Sequence, residues 1–144
     1  MSAANFKTIE GGPIEGACLC GALRYRISTA PTVVDICHCW QCRKASGAAF
    51  VGWLGVPIEG FAWIKGEPAR FESSPETWRL FCSRCGSPVA MAGGLAPALY
   101  GVTIGSLDEP ARFTPTDEGW TSQRLPWARL AHPLIGHDED VPGF

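Results

Sequence analysis

The sequence predicts a mainly β protein with few short helices, on three observations. Glycine (17) and proline (12) make up about a fifth of the 144 residues, which leaves little room for long helices and favours short strands joined by turns. The clearest periodic segment, Ala22-Leu23-Arg24-Tyr25-Arg26-Ile27, alternates apolar and polar residues with a period of two, the pattern of a strand with one wet face. The remaining apolar runs are short and are stopped by turn residues at intervals typical of a sandwich or an open barrel.

Taken in order, the strand Ala22–Ile27 begins directly after Cys20-Gly21. The segment Cys39–Ser46 is the best helical turn, because Trp40-Gln41-Cys42-Arg43-Lys44-Ala45 lacks Gly, Pro and β-branched residues. Gly47–Val56 reads as a buried strand, its repeated glycines pointing to a bulge and Pro57 to its end. Phe61–Gly66 follows as a strand closed by a glycine turn. Ala69–Phe71 and Thr77–Phe81 flank a Ser73-Ser74-Pro75 turn, and the second runs straight into Cys82. Val89–Met91 and Leu99–Ile104 complete a series of about seven or eight strands.

A chain of 144 residues and 15.5 kDa with no internal repeat or linker is read as one domain over 1–144, with a core at about 16–127. Its first dozen residues and the Asp138-Glu139-Asp140 tail are expected to fray. A hydrophobic content of 46% excludes a disordered chain, and 12 Lys+Arg against 14 Asp+Glu excludes a basic nucleic-acid-binding surface. The uncharged stretch from Ser87 to Leu107 is broken by Pro88, Gly93, Gly94 and Pro97, so it reads as two strands around a turn and not as a membrane span. Met1–Gly12 shows no basic segment followed by an apolar one, so the expected compartment is the cytoplasm, where disulfides are disfavoured. The oligomeric state is not written in the sequence.

Seven cysteines fall in three clusters: Cys18 and Cys20 as CxC, Cys37, Cys39 and Cys42 as CxCxxC, and Cys82 and Cys85 as CxxC. Such spacings let neighbouring thiolates converge on one ion at roughly 2.3 Å, and Gly21 and Gly86 suit the tight turns this requires. Isolated buried cysteines would not cluster this way, and no βαβ pattern supports a redox role for Cys82-Ser83-Arg84-Cys85. Seven sulfurs do not divide into complete tetrahedra. A four-thiolate site is closed and serves folding, whereas a three-ligand site keeps a position for water or substrate. Spacing does not decide the pairing. Cys39 and Cys42 with Cys82 and Cys85 would form a stretched ribbon, whereas joining CxC to the distant CxxC keeps CxCxxC intact for itself.

Three segments, Gly16-Ala17-Cys18-Leu19-Cys20-Gly21, Cys37-His38-Cys39-Trp40-Gln41-Cys42-Arg43-Lys44-Ala45-Ser46-Gly47 and Phe81-Cys82-Ser83-Arg84-Cys85-Gly86, together resemble the glutathione-dependent formaldehyde-activating family. Gly105-Ser106-Leu107-Asp108 and Arg124-Leu125-Pro126-Trp127 extend the likeness, which spans about Gly16 to Trp127. The resemblance implies a β-tent of bent antiparallel sheets and two zinc ions per chain. One would be structural, on Cys18, Cys20, Cys82 and Cys85; the other would be open, on Cys37, Cys39 and Cys42, where the family places its chemistry. It implies a carbon-sulfur lyase that joins glutathione, the family's default thiol, to formaldehyde as S-hydroxymethylglutathione, or the reverse. The rival is a non-catalytic zinc-stabilised binding module of the same fold, which would need only the four-cysteine site. Methionine sulfoxide reduction ranks last, since it needs a reactive cysteine outside both zinc sites.

Around the open site, Arg43 and Lys44 follow the last ligand and are candidates for pairing with glutathione carboxylates. His38 lies between two ligands, so its side chain is expected to point away from them. Trp120 is a candidate pocket wall, as is Trp127; the other tryptophans read as core. Where relatives often carry a His two residues before the aromatic that matches Trp120, this chain has Glu118, which could serve as a base or an anion-repelling wall. His132 and His137 read as surface residues. Three thiolates on Zn²⁺ carry a formal charge of −1, which suits thiol transfer better than hydroxide generation.

Overall fold

In the computed structural model, which describes residues 8–94 and 96–144, the chain is mainly β. Ile14–Ala17 (β1), Arg24–Ile27 (β2) and Phe61–Lys65 (β5) form a three-stranded sheet in the order β1-β2-β5. The second sheet holds Val33–Cys37 (β3), Val51–Pro57 (β4), Ala69–Ser74 (β6), Thr77–Phe81 (β7), Pro88–Gly93 (β8), Leu99–Thr103 (β9), Asp117–Gly119 (β10) and Ile135–Gly136 (β11). Its order is β11-β10-β3-β4-β9-β8-β7-β6. Pairing is antiparallel except at one edge, where β10 runs parallel to both β3 and β11. No helix among the described residues is long and apolar enough to cross a membrane.

Alternation divides the large sheet into two faces. Leu80, Ala90, Val102 and Leu54 lie in register across β7, β8, β9 and β4, and all are buried in the core. The small sheet covers them with Tyr25 and Ile27, and Tyr25 stacks on Phe61 at 5.2 Å between centroids. Tyr25 keeps its hydroxyl paired with Ser106 Oγ at 2.7 Å, as a fully buried phenol must. The neighbouring register positions, Arg79, Met91, Gly101 and Gly55, occupy the opposite face, as do Trp53, Asp35 and Cys37. This second face carries the candidate site.

The single α-helix among the described residues, Trp40–Ser46 (α1), starts one residue later than the segment expected. Cys39 is its N-cap: the sulfur accepts the backbone N–H of Cys42 at 3.3 Å, as a capping oxygen would. Gly47 ends it in the left-handed conformation, its N–H on the Arg43 carbonyl at 2.8 Å. Gly47 is thus a helix cap and not the start of the next strand, which begins at Val51. That strand pairs with both neighbours without a register shift, so its glycines do not make a bulge. Gly55 and its partner Gly101 instead make room for the ring of Phe144, at 3.2 Å and 3.4 Å from where a Cβ would stand.

The described parts of the two segments expected to fray are anchored. Residues 1–7 lie outside the described residues, but Ile9 is buried and the Arg112 guanidinium bonds the carbonyls of Glu10, Gly12 and Pro13. At the other end Asp138, Glu139 and Asp140 are exposed, as expected, yet tethered: the Glu139 carbonyl accepts the Trp120 N–H at 2.8 Å, and Val141 is buried. These anchors lie about a hundred and about twenty residues away in sequence, out of reach of a local reading.

Candidate metal centres

Cys18 and Cys20 occupy the turn after β1, and Cys82 and Cys85 the turn after β7. Their four sulfurs lie within 4.8 Å of one another. Each turn closes on a glycine in the left-handed region, Gly21 on the Cys18 carbonyl at 3.1 Å and Gly86 on the Cys82 carbonyl at 2.8 Å. Sulfur–sulfur separations of 3.7 Å (Cys18–Cys20) and 3.8 Å (Cys20–Cys82) fit the edge of about 3.8 Å that bonds of roughly 2.3 Å give a tetrahedron of thiolates. All seven cysteines are free, which removes the disulfide alternative. Backbone N–H groups already aim at the sulfurs: Leu23 at Cys18, and Arg84 and Cys85 at Cys82. Ser87 ties the two turns together. Its hydroxyl accepts the Leu19 N–H at 3.0 Å and lies 3.2 Å from Cys85 Sγ, where its hydrogen bonds bring the Cys85 thiol down to about 5.

The second set assembles where β3 runs into α1. Cys37 ends the strand, Cys39 caps the helix and Cys42 sits in its first turn, their sulfurs again within 4.8 Å of one another. The pairing of CxC with the distant CxxC is therefore the one adopted, and the ribbon alternative is not. Three sulfurs this close share protons unequally. Cys39 is held far below the ordinary thiol range by hydrogen bonds from Cys37 and Cys42, and Cys37 is pushed far up by its hydrogen bonds to Cys39 and Cys42. For Cys42 the bond with Cys37 lowers the value, but the bond with Cys39 and burial outweigh it and push the thiol up to about 11. A cation at the centre is what would let all three ionise together.

Arg79 supplies positive charge here. Its Nη1 and Nη2 lie 3.7 and 3.8 Å from Cys42 Sγ, while its Nε donates to Ser73 Oγ at 3.1 Å and so fixes the plane. Sequence reading missed Arg79, which stands among unremarkable strand residues; only the register of β7 against β6 and β8 turns it toward the cysteines.

Cys37, Cys39 and Cys42 border a cavity of about 310 Å³, whereas none of the other four cysteines does. Trp53, Met91 and Arg79 wall it from the sheet, Trp40 from the helix and Phe144 from the C-terminus. Trp120 borders it too, in the left-handed conformation (φ 54°) and pinned by its Nε1–H on Asp140 Oδ1 at 2.8 Å. A bulky residue in that region is strained and holds only where its surroundings fix it. Asp35, also missed, faces the cavity two residues before Cys37. Its Oδ1 is buried without a partner among the described residues, and burial, helped by Asp117 and Asp140, pushes its carboxyl up to about 8.

Arg43 and Lys44 are not brought to this cavity. They lie along the other side of α1, where they border a separate concavity with Trp127, and only Trp40 touches both. His38 points away from the sulfurs, as expected, and bonds Glu118. Glu118 is therefore neither a base in the cavity nor a wall of it: its carboxylate is taken up by His38 and, at 3.3 Å, by Arg124.

Fold and site together define a small β protein with two cysteine groups that could each hold a metal ion, one of them beside a cavity. The family profile of the glutathione-dependent formaldehyde-activating enzymes matches residues 13–123, and the chain belongs to that family. No curated protein shows significant similarity to the chain. Among solved structures, a Rhodobacter sphaeroides protein superposes with a TM-score of 0.57 at 21% identity, over 65% of this chain and 87% of that one, which supports the fold.

Proposed function

We propose that the chain is a zinc-dependent carbon-sulfur lyase that adds a thiol, glutathione by the description of its family, to formaldehyde or a related small aldehyde, and reverses that addition. The carrying observation is the placement of Cys37, Cys39 and Cys42 against the cavity of about 310 Å³ with the Arg79 guanidinium on the same wall. On this reading Cys18, Cys20, Cys82 and Cys85 would hold a structural zinc, and Cys37, Cys39 and Cys42 would hold a second zinc beside the cavity. Such an ion lowers the pKa of a thiol and polarises a carbonyl.

In the reaction the thiol sulfur attacks the carbonyl carbon, a C–S bond forms, the π pair moves to oxygen, and the thiol proton ends on that oxygen. Arg79 offsets the negative charge gathered on the sulfurs. Asp35, whose carboxyl burial pushes up to about 8, lines the same cavity and would donate a carboxylic O–H toward the oxygen that gathers charge. Trp40 and Trp120 border the same cavity and would hold the thiol's organic part away from water.

The test is magnetisation exchange between glutathione and its S-hydroxymethyl adduct in the presence of formaldehyde. Zinc-loaded protein should exchange them well above the uncatalysed rate, and Cys42→Ser should return the rate to background. Exchange at the uncatalysed rate with two zinc ions bound would instead favour the non-catalytic module.

A further inference from the structure

A second cavity lies against the same cysteine. It holds about 360 Å³ and shares Cys42, Trp53 and Arg79 with the first. Most of its other lining is apolar, with Val51, Phe71, Phe81 and, from α1, Ala45; Ser46 and Thr103 are the polar side chains there. Register explains the grouping. Phe71 pairs with Arg79, and Phe81 stands two residues beyond Arg79, so all three share one face.

The concavity opens at the sheet edge, so water fills it against largely apolar walls, and an apolar guest that displaces that water is favoured. Phe71, 62% exposed, stands on the strand at the sheet edge. Trp53 forms part of the wall common to both cavities. Formaldehyde, little larger than a water with its share of about 30 Å³, would leave the space nearly empty.

We propose that the electrophile is an aldehyde bearing an apolar substituent, whose chain fills the cavity walled by Val51, Phe71, Phe81 and Ala45 while its carbonyl oxygen faces Arg79 beside Cys42. This rests on the lyase reading above and narrows it to a substrate class. The thiol enters from the first cavity; its sulfur bonds the carbonyl carbon and its proton passes to the oxygen, giving a hemithioacetal with no oxidant or reductant required.

The experiment measures kcat/KM of the zinc-loaded protein with glutathione and straight-chain aldehydes of one to six carbons, and binding of hexan-1-ol by tryptophan fluorescence. The expected result is a rise of about fourfold per added methylene over the first several carbons, and saturable hexan-1-ol binding. Ala45→Phe, an exposed helix position, fills the mouth, and Phe71→Ser removes its apolar lip; each should lower the hexanal-to-formaldehyde ratio at least tenfold and weaken hexan-1-ol binding. A flat or falling series with formaldehyde still turned over would overturn this inference and leave the lyase reading standing. Failure to turn over any aldehyde would overturn the lyase reading, and this inference with it.

Discussion

His38 Nε2 lies 3.2 Å from Glu118 Oε2, and the other oxygen of that carboxylate lies 3.3 Å from Arg124 Nη1. The His38 side chain is 2% exposed and that of Glu118 12%. The pair joins β10 to the middle of the Cys37-His38-Cys39 segment from behind, on the side away from the sulfurs, and a backbone bond from the His38 N–H to the Gly119 carbonyl at 3.1 Å reinforces it. Glu118→Ala leaves a buried imidazole and a guanidinium without their acceptor, so it should cost about 3 kcal/mol of unfolding free energy. Glu118→Gln keeps an acceptor and should cost less. Urea unfolding of the zinc-loaded protein reads both, and an Ala variant as stable as the wild type would dismiss the anchoring role.

The segments legible in the sequence are those whose cause is local. Period-two alternation in 22–27 marks β2, and cysteine spacing with Gly21 and Gly86 marks both metal turns. The strand β10 was not legible, because Asp117-Glu118-Gly119 has no β-branched or aromatic residue and is extended only through parallel pairing with β3, some eighty residues earlier. Arg79, 37 residues from Cys42, is an ordinary strand residue until register sets it against the cysteines, and Asp35, though only two residues before Cys37, carries no signal until the fold buries its carboxyl. Arg43 and Lys44 adjoin Cys42 in sequence, but on a helix adjacent positions face different directions, which carries them to the far side.

The two cysteine groups should respond differently to substitution. The wild type should bind two zinc ions per chain. Cys42→Ser should lose one of them, with far-ultraviolet circular dichroism unchanged, because the helix keeps its Cys39 and Gly47 caps. Cys85→Ser should unfold the domain, since a closed four-thiolate site contributes folding free energy on the order of 10 kcal/mol. Metal analysis beside circular dichroism separates the cases; a folded Cys85→Ser with one zinc would show that the fold does not depend on that site.

Asp35 should make the protein less stable as pH rises. Its carboxyl is raised from an ordinary 3.8 to about 8, so between these values the folded state holds a proton that the unfolded state has released. The unfolded chain then binds fewer protons, and the slope of unfolding free energy with pH is negative across that window. Asp35→Asn removes the term, so it should gain stability over the wild type progressively from about pH 4 to pH 8. Paired denaturation curves across that range check it, and a constant difference between the two proteins would refute the assignment.

Arg79 should matter to metal retention at one site only. Its guanidinium is 3.7 Å from Cys42 Sγ and lowers both Cys39 and Cys42, so it favours the ionised sulfurs that a metal requires. Arg79→Met removes that charge and should weaken zinc at Cys37, Cys39 and Cys42 by about 10- to 100-fold, the usual effect of losing a group that orients metal ligands. Arg79→Lys restores the charge without the planar fork that also engages Ser73, so its loss should be smaller but measurable. The Cys18, Cys20, Cys82 and Cys85 group makes none of these contacts and should hold zinc as before. Competition with a chromophoric chelator resolves the two classes of zinc; equal weakening at both, or none at either, would mean that Arg79 acts on the fold and not on the open cysteine set.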